Sequence, residues 1–250
     1  KENPDTLVLD AGDVTTGHIL SNLFHAQPDF LAMNLIGYHA MALGNHEFDN
    51  PRHVLQDRRK DAKFPLLSAN IYVKNTGKRL VEPYAIVELA HAKIGVIGVT
   101  TVETPTAVMP ANVQDLEFRD PAREVAALVP EVRSQCDFIV VLSHLGLPAD
   151  EAMAARIQDV DLIIGGHSHT FMDEAKYVNG GLFMSRVDIK VEMGSVVSLN
   201  AYPVPINLSL EYKDGQQVLG ELKEIDGKMY DFPGGYLEQD ELVAALIRPY

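Results

Sequence analysis

Four short apolar runs in this sequence each end in residues that can bind a metal ion or move a proton. The residues that follow the runs are Gly12-Asp13, Gly44-Asn45-His46-Glu47, Ser143-His144 and Gly166-His167-Ser168-His169. An apolar run followed by polar residues is typical of a buried strand in an α/β protein, which presents its chemistry at the carboxyl end of the strand. We therefore expect these side chains to meet at one edge of one sheet.

The chemistry that this set predicts is a binuclear metal centre. Carboxylate, amide and imidazole groups bind zinc, manganese or iron, and none of the four groups contains a thiolate. A carboxylate such as Asp13 can bridge two cations, which in two-metal hydrolysis lie roughly 3.5–4 Å apart. His167 and His169 are alternate residues, which share one side of an extended segment. The glycines at the ends of the runs are expected to leave room for a metal-bound phosphate.

Composition bounds the class of protein. With 250 residues, 46% of them apolar, the chain can bury a full core as one large domain or as one domain with an appended sheet. No apolar stretch approaches the roughly 18 residues of a membrane span. The formal net charge of -14 disfavours nucleic acid or an anionic membrane as a partner. Bound divalent cations would make the electrostatic potential positive at the site, so that a negatively charged phosphate ester could still bind there.

The order of the elements predicts an α/β fold for the first two thirds of the chain and a strand-rich remainder, with two sheets packed face to face and flanked by helices. Residues 84–89 and 93–99 form a predicted hairpin, and the alternating run at 186–193 predicts a half-exposed strand. Asn50 is expected to cap a helix that begins at Pro51, and Pro130 to end or kink a helix that begins after Asp120. A closing helix is predicted at 239–247.

In their order along the chain, the four groups resemble four of the five motifs of the calcineurin-like metallophosphoesterases. The run from Ala42 to Pro51 looks like the branch of the 5′-nucleotidases and UDP-sugar hydrolases in particular. This resemblance covers nearly the whole chain, residues 1–250, as one metallophosphatase domain. It implies a four-layer α-β-β-α sandwich, and it implies that a C-terminal substrate-binding domain of the same protein follows in the complete molecule.

The resemblance also implies a role for each site residue. Asp13 would bridge two divalent ions (manganese, zinc, cobalt or iron), and His46 and Asp49 would form the catalytic dyad of a hydrolase that uses a metal-activated water. The other ligands would be Asn45, His144 and His167 for one ion and His169 for the other. Asp10 and Glu47 are expected to support the ligands. A helix-capping role is the alternative for Asp49.

By the same resemblance, the substrate would be a small nucleotide: a 5′-mononucleotide, a nucleotide-diphosphate sugar or a cyclic nucleotide. The enzymes of this branch take part in nucleotide catabolism in the bacterial periplasm or outside the cell, and we expect the same location here. A thiosulfohydrolase branch shares the fold, but the run Asn45-His-Glu-Phe-Asp49 argues against it.

The sequence departs from the family pattern at its start. The family opens with an Asp-x-His motif that supplies two further ligands, and no such motif precedes Asp13. Either the sequence lacks the first strand of the fold, which is the interpretation that we favour, or the first metal site is incomplete. The second case would make the chain a non-catalytic or metal-deficient binding module on the same scaffold.

Overall fold

The computed structural model describes residues 6–17 and 19–170, and beyond them the backbone of six strands. The chain divides into two units, Lys1–Pro203 and Val204–Tyr250. The described strands are β1 Leu9–Asp10, β2 Ala40–Ala42, β3 Leu66–Leu67, β4 Ile71–Val73, β5 Lys78–Arg79, β6 Tyr84–Glu88, β7 Lys93–Thr100, β8 Leu116–Phe118, β9 Phe138–His144, β10 Leu162–Gly165, β11 Lys176–Val178, β12 Gly181–Phe183, β13 Val187–Glu192, β14 Ser195–Ala201, β15 Leu210–Lys213 and β16 Gln216–Leu219. The described helices are α1 Ile19–Leu23, α2 Gln27–Ile36, α3 Arg52–Asp61, α4 Thr104–Ala107, α5 Pro110–Val113, α6 Pro121–Arg133 and α7 Leu147–Ala154, with a 3-10 turn at His46–Phe48.

Two separate sheets carry the four apolar runs. The smaller sheet is parallel in the order β1-β2-β3, with Leu9 opposite Ala40 and Met41 opposite Leu66. The larger sheet has the order β11-β12-β10-β9-β7-β6, in which β12, β10, β9 and β7 are parallel and the two edge strands are antiparallel. The predicted hairpin is confirmed as the pair of β6 and β7.

Three apolar clusters define the layers of the first unit. Ala40, Ala42 and Leu67 of the smaller sheet pack against strands β7, β9 and β10 of the larger sheet. The other face of the larger sheet packs against α6 and α7, and the other face of the smaller sheet packs against α2 and α3. Because alternate residues of a strand point to opposite faces, a run that is apolar throughout, such as residues 138–142, can fill two layers. This arrangement confirms the predicted four-layer α-β-β-α sandwich.

Two predicted helix ends differ from the structure. Helix α3 begins at Arg52, and Pro51 is its N-cap without a side-chain hydrogen bond, so the prediction of an Asn50 cap was wrong. Helix α6 is capped as predicted by Asp120, which accepts from the amides of Ala122 and Arg123 at 3.0 and 3.3 Å. It then continues past Pro130 to Arg133. Pro130 is exposed, so water can reach the carbonyl that loses its hydrogen bond.

Strands β13 and β14 pair antiparallel, which confirms the alternating strand predicted near residue 190. In the second unit, β15 and β16 form an antiparallel pair. The predicted closing helix at 239–247 lies outside the described residues. Within the described part of the chain, no helix has both the length and the apolar character that a membrane crossing requires.

Candidate metal centre

The site residues meet where the carboxyl ends of the two sheets approach each other. Asp13 follows β1 of the smaller sheet, and its Oδ1 accepts a hydrogen bond from the amide of His46, which follows β2, at 2.9 Å. Its Oδ2 lies 2.9 Å from Nε2 of His144 at the end of β9 in the larger sheet. The prediction that one edge of one sheet carries the site was therefore wrong. Both sheets contribute, and Asp13 contacts residues from each.

Asp13, His144 and His167 form a cluster with the geometry of a metal site. One ligand atom from each lies within 4.8 Å of the others. The rings of His144 and His167 have their centroids 5.0 Å apart. Burial and the neighbouring His144 lower the pKa of His167, which favours the neutral ring that binds a metal ion. Three of the five predicted ligands are thus together in the described structure.

The ring of His144 is held in the tautomer of a metal ligand. Its Nδ1 lies 2.6 Å from the carbonyl oxygen of Ala11, which can only accept, so Nδ1 donates and the neutral ring leaves a lone pair on Nε2. Burial lowers the pKa of His144, but the Asp13 carboxylate, the Ala11 carbonyl and the Glu47 charge together raise it above its usual value. A proton or a cation is therefore favoured at Nε2, and a metal ion that binds there would displace the proton.

Buried polar atoms that have no hydrogen-bond partner show whether these residues fit a metal ion. Among the described residues, five buried side-chain nitrogen or oxygen atoms have no hydrogen-bond partner, and two of them are Oδ1 of Asn45 and Nε2 of His144. Although Nε2 lies close to Asp13, the two groups are not aligned for a hydrogen bond. An unsatisfied buried polar atom costs about 1–3 kcal/mol. Both atoms belong to predicted ligands, and each is a lone-pair donor of the kind that binds a divalent cation, so the donor set fits a metal.

Two acidic side chains support the loops that carry the predicted metal ligands Asp13 and Asn45, as the sequence predicted. The buried carboxylate of Glu47 accepts from the amides of Asp13, Val14, Thr15 and Gly44 and from the Thr15 hydroxyl, at 2.6–3.1 Å. Burial raises the pKa of Glu47, and the amide hydrogen bonds oppose that rise. Glu47 thereby joins the loop that carries Asp13 to the loop that carries Asn45.

Asp10 supports the same loop from β1. Its Oδ1 accepts from the amide of Gly12 at 2.8 Å. Burial raises the pKa of Asp10 to about 6, because removal from water disfavours the charged form.

Gly12 and Gly44 allow two loops of the site to approach each other closely. A Cβ on Gly44 would lie 2.2 Å from Oδ1 of Asp13, and a Cβ on Gly12 would lie 2.6 Å from the amide nitrogen of Gly44 and 2.8 Å from Nδ1 of His144. Gly12 also has a φ of 97°, which glycine adopts without strain. The atoms that these glycines accommodate are therefore those of the site itself. The expectation that they also leave room for a metal-bound phosphate stays a prediction.

His46 and Asp49 form a hydrogen-bonded pair. Nδ1 of His46 lies 2.6 Å from Oδ2 of Asp49, and the His46 side chain is 45% exposed. Burial lowers the pKa of His46, but the Asp49 hydrogen bond and the charges of Asp13, Asp49 and Glu47 together raise it above its usual value. The Asp49 carboxylate is thus hydrogen-bonded to the His46 ring. This pairing agrees with the predicted dyad more closely than with the helix-capping alternative.

The segment that carries His167 and His169 is not extended. The two residues have φ angles of 72° and 50°, in the left-handed region, so the argument that alternate residues share a side does not apply to them. His169 is exposed and does not join the cluster of described ligands. Asp13 also has a positive φ, of 68°. Such backbone costs about 1–3 kcal/mol per residue and tends to occur at functional sites.

Several supporting residues were missed by the sequence analysis. Ser68, Asn70 and Thr100 form a buried network behind the site, in which the Thr100 hydroxyl donates to the carbonyl of Leu43 at 2.7 Å. All three follow or end apolar strands, so the same strand-end signal could have identified them. Asn112 donates to the carbonyls of Phe48 and Asp49 at 2.9 and 3.0 Å and fixes the turn of the dyad, with no local signal in the sequence.

Comparison with known proteins agrees with this geometry. Residues 1–171 match the family model of the calcineurin-like phosphoesterases. Protein UshA of Escherichia coli is 36% identical over an alignment that covers 86% of this chain and 47% of UshA. A 5′-nucleotidase precursor of Thermus thermophilus is 30% identical with a TM-score of 0.66, over 78% of this chain and 44% of that chain. The sulfate thiohydrolase SoxB of Thermus thermophilus is 26% identical with a TM-score of 0.72, over 78% and 38%. The chain therefore spans about half the length of the curated relatives that it matches.

Proposed function

Because the chain belongs to the calcineurin-like phosphoesterase family, we propose that it is the metal-binding part of a hydrolase that cleaves phosphate esters of nucleotides. The observation that carries the proposal is the buried, unpartnered Nε2 of His144, which lies 2.9 Å from the Asp13 carboxylate. Oδ1 of Asn45, another predicted ligand atom, is buried and unpartnered as well. Among the solved structures compared above, the nucleotidase precursor has the higher identity, which favours a nucleotide over a sulfur substrate.

In this proposal Asp13, Asn45, His144 and His167 bind one divalent ion. Asp13 also contributes to a second ion, together with His169. Carboxylate, amide and imidazole ligands suit manganese, zinc, cobalt or iron. When bound, such ions supply positive charge to a phosphate ester and a nucleophilic water at neutral pH. That charge also offsets the repulsion of an anionic substrate by a chain of net charge -14.

His46 and Asp49 act as the dyad. Because the Asp49 carboxylate accepts from Nδ1 of His46, Nε2 is the ring nitrogen that remains for the substrate. The raised pKa of His46 favours its imidazolium form, in which Nε2 carries a proton. We infer that this N–H stabilises the charge that develops on the phosphoryl group and that Asp49 orients the ring.

The nucleotide is expected to be a 5′-mononucleotide, a nucleotide-diphosphate sugar or a cyclic nucleotide. The greater length of the relatives supports a C-terminal substrate-binding domain in the complete protein. We further propose, by resemblance to this branch of the family, that the protein works in the periplasm or outside the cell.

Release of inorganic phosphate from 5′-AMP, measured with and without Mn²⁺, tests the proposal. The complete protein, with its proposed substrate-binding domain, is expected to release phosphate only with the metal, and a chelator should stop the reaction. Asn45→Ala should abolish hydrolysis because it removes a ligand, whereas His46→Asn should slow it, by about 10²–10⁴-fold as for other general acid groups.

Tyr72→Phe is the matched control. Tyr72 lies in β4 of the antiparallel sheet β5-β4-β8, and its hydroxyl donates a 2.6 Å hydrogen bond to Glu124 of helix α6. The loss of this hydrogen bond perturbs folding without removing a site residue. Hydrolysis that survives both Asn45→Ala and His46→Asn would refute the proposal. Metal binding without hydrolysis of any nucleotide tested would instead support the binding-module alternative.

A further inference from the structure

A buried acid behind the metal centre has no part in the function proposed above. Asp150 lies in the first turns of α7 and is 1% exposed. Its Oδ1 accepts a short hydrogen bond from the hydroxyl of Ser143, the residue before the ligand His144. Burial raises the pKa of Asp150 to about 7, so the protein keeps an acid at a position where its charged form is disfavoured. A residue that is costly to bury calls for a specific role.

Asp150 contacts both strands that lead to histidine ligands. Ser143 of β9 lies opposite Gly165 of β10 in the sheet, and this is the last pair of that ladder. A Cβ on Gly165 would lie 2.6 Å from Oδ2 of Asp150. The two carboxyl oxygens therefore lie against the two members of one strand pair. His144 follows the first member directly, and His167 follows the second after one residue.

The loop before α7 packs on the second ligand segment as well. The amide of Leu147 donates to the hydroxyl of Ser168 at 3.1 Å. A Cβ on Gly146 would lie 3.4 Å from Cδ2 of His167 and 3.4 Å from Cβ of Ser168. The start of α7 thus contacts residues on both sides of the cluster, and Asp150 is the buried polar group that fixes this start to the sheet.

We propose that Asp150 is a positioning residue that sets the relative placement of His144 and His167, through Ser143 and the backbone at Gly165, and so determines how tightly the centre binds a divalent ion. The inference rests on the proposed metal centre and names a residue on which its affinity depends. Outer partners of metal ligands commonly change affinity by about 10–100-fold when they are removed.

The experiment is a titration of Mn²⁺ into the metal-free 250-residue chain, followed by calorimetry and by the electron paramagnetic resonance spectrum of the bound ion. Asp150→Ala is expected to weaken binding at least about tenfold and to broaden the spectrum, because the two histidines lose their fixed separation. Asp150→Asn keeps an oxygen acceptor for Ser143 and should restore most of the affinity. The remote control Tyr72→Phe should bind Mn²⁺ like the unmodified chain.

The outcomes separate this inference from the proposed function. If the unmodified chain binds Mn²⁺ and Asp150→Ala binds it equally well, Asp150 has no positioning role while the metal centre stands. If the unmodified chain binds no Mn²⁺, the proposed function fails and this inference fails with it. Should Asp150→Ala not fold, Ser143→Ala replaces it, since that change removes only the hydroxyl. Ser143→Ala should weaken binding several-fold, and unchanged affinity would again overturn the inference.

Discussion

Replacement of Glu47 by glutamine should destabilise the folded chain severely, although the two side chains have nearly the same shape. Oε1 accepts three hydrogen bonds, from Val14 and from the amide and hydroxyl of Thr15. Oε2 accepts two, from the amides of Asp13 and Gly44. Glutamine has one acceptor oxygen, so its NH₂ group must face at least the smaller set of donors.

The magnitude follows from this count of donors. A hydrogen bond to a charged acceptor contributes about 1.5–3 kcal/mol, so the loss of two lowers the free energy of unfolding by about 3–6 kcal/mol. Domains of this kind have about 5–15 kcal/mol in total, so the variant should unfold at a much lower urea concentration. Urea unfolding of the metal-free chain, followed by circular dichroism, measures the change.

Two comparisons make the Glu47 prediction specific. Thr15→Ala removes only the hydroxyl donor and should cost about 1 kcal/mol. Glu117→Gln changes an exposed acid paired with Arg119 and should leave the urea midpoint unchanged. A loss of less than about 1 kcal/mol for Glu47→Gln would refute the view that this carboxylate joins the two ligand loops.

Two further predictions concern Asp150 and Asn112. Burial raises the pKa of Asp150 from 3.8 to about 7, so the metal-free folded chain binds this proton more tightly than the unfolded chain. The stability that this proton contributes is complete below pH 3.8 and is lost as the pH rises to about 7. Asp150→Asn should therefore weaken the fall in melting temperature between pH 5 and pH 8, and an unchanged fall would contradict the assignment. Asn112→Asp removes both donors to the turn of the dyad and should lower kcat by about tenfold in the unmodified background but hardly at all in His46→Asn. Equal losses in both backgrounds would show that Asn112 acts independently of His46.

The local features of the fold could be predicted from the sequence because neighbouring residues determine them. The β6–β7 hairpin and the cap of α6 by Asp120 follow from short patterns that the structure repeats. The strand-end residues also identified Asp13, His144 and His167, which the structure brings together.

The features of the fold and of the site that could not be predicted depend on contacts between distant segments of the chain. An apolar run such as residues 138–142 looks the same in either sheet, so the sequence could not indicate that two sheets contribute to the site. Gly44 has its close neighbour in Asp13, and Asn112 bonds to a turn more than 60 residues before it. Asp150, in the first turns of a helix, has the pattern of a solvated acid, and only the packing of α7 on β9 and β10 buries it.

We propose above that Asp13, with Asn45, His144 and His167, holds a divalent metal ion. Equilibrium dialysis of the metal-free chain against Mn²⁺, followed by elemental analysis, tests it most directly when the unmodified chain and Asp13→Asn are measured side by side. We predict at least one manganese ion per unmodified chain and its loss from Asp13→Asn, because the Asp13 carboxylate contacts residues from both sheets. No bound manganese in the unmodified chain, or the same amount in both proteins, would contradict the account.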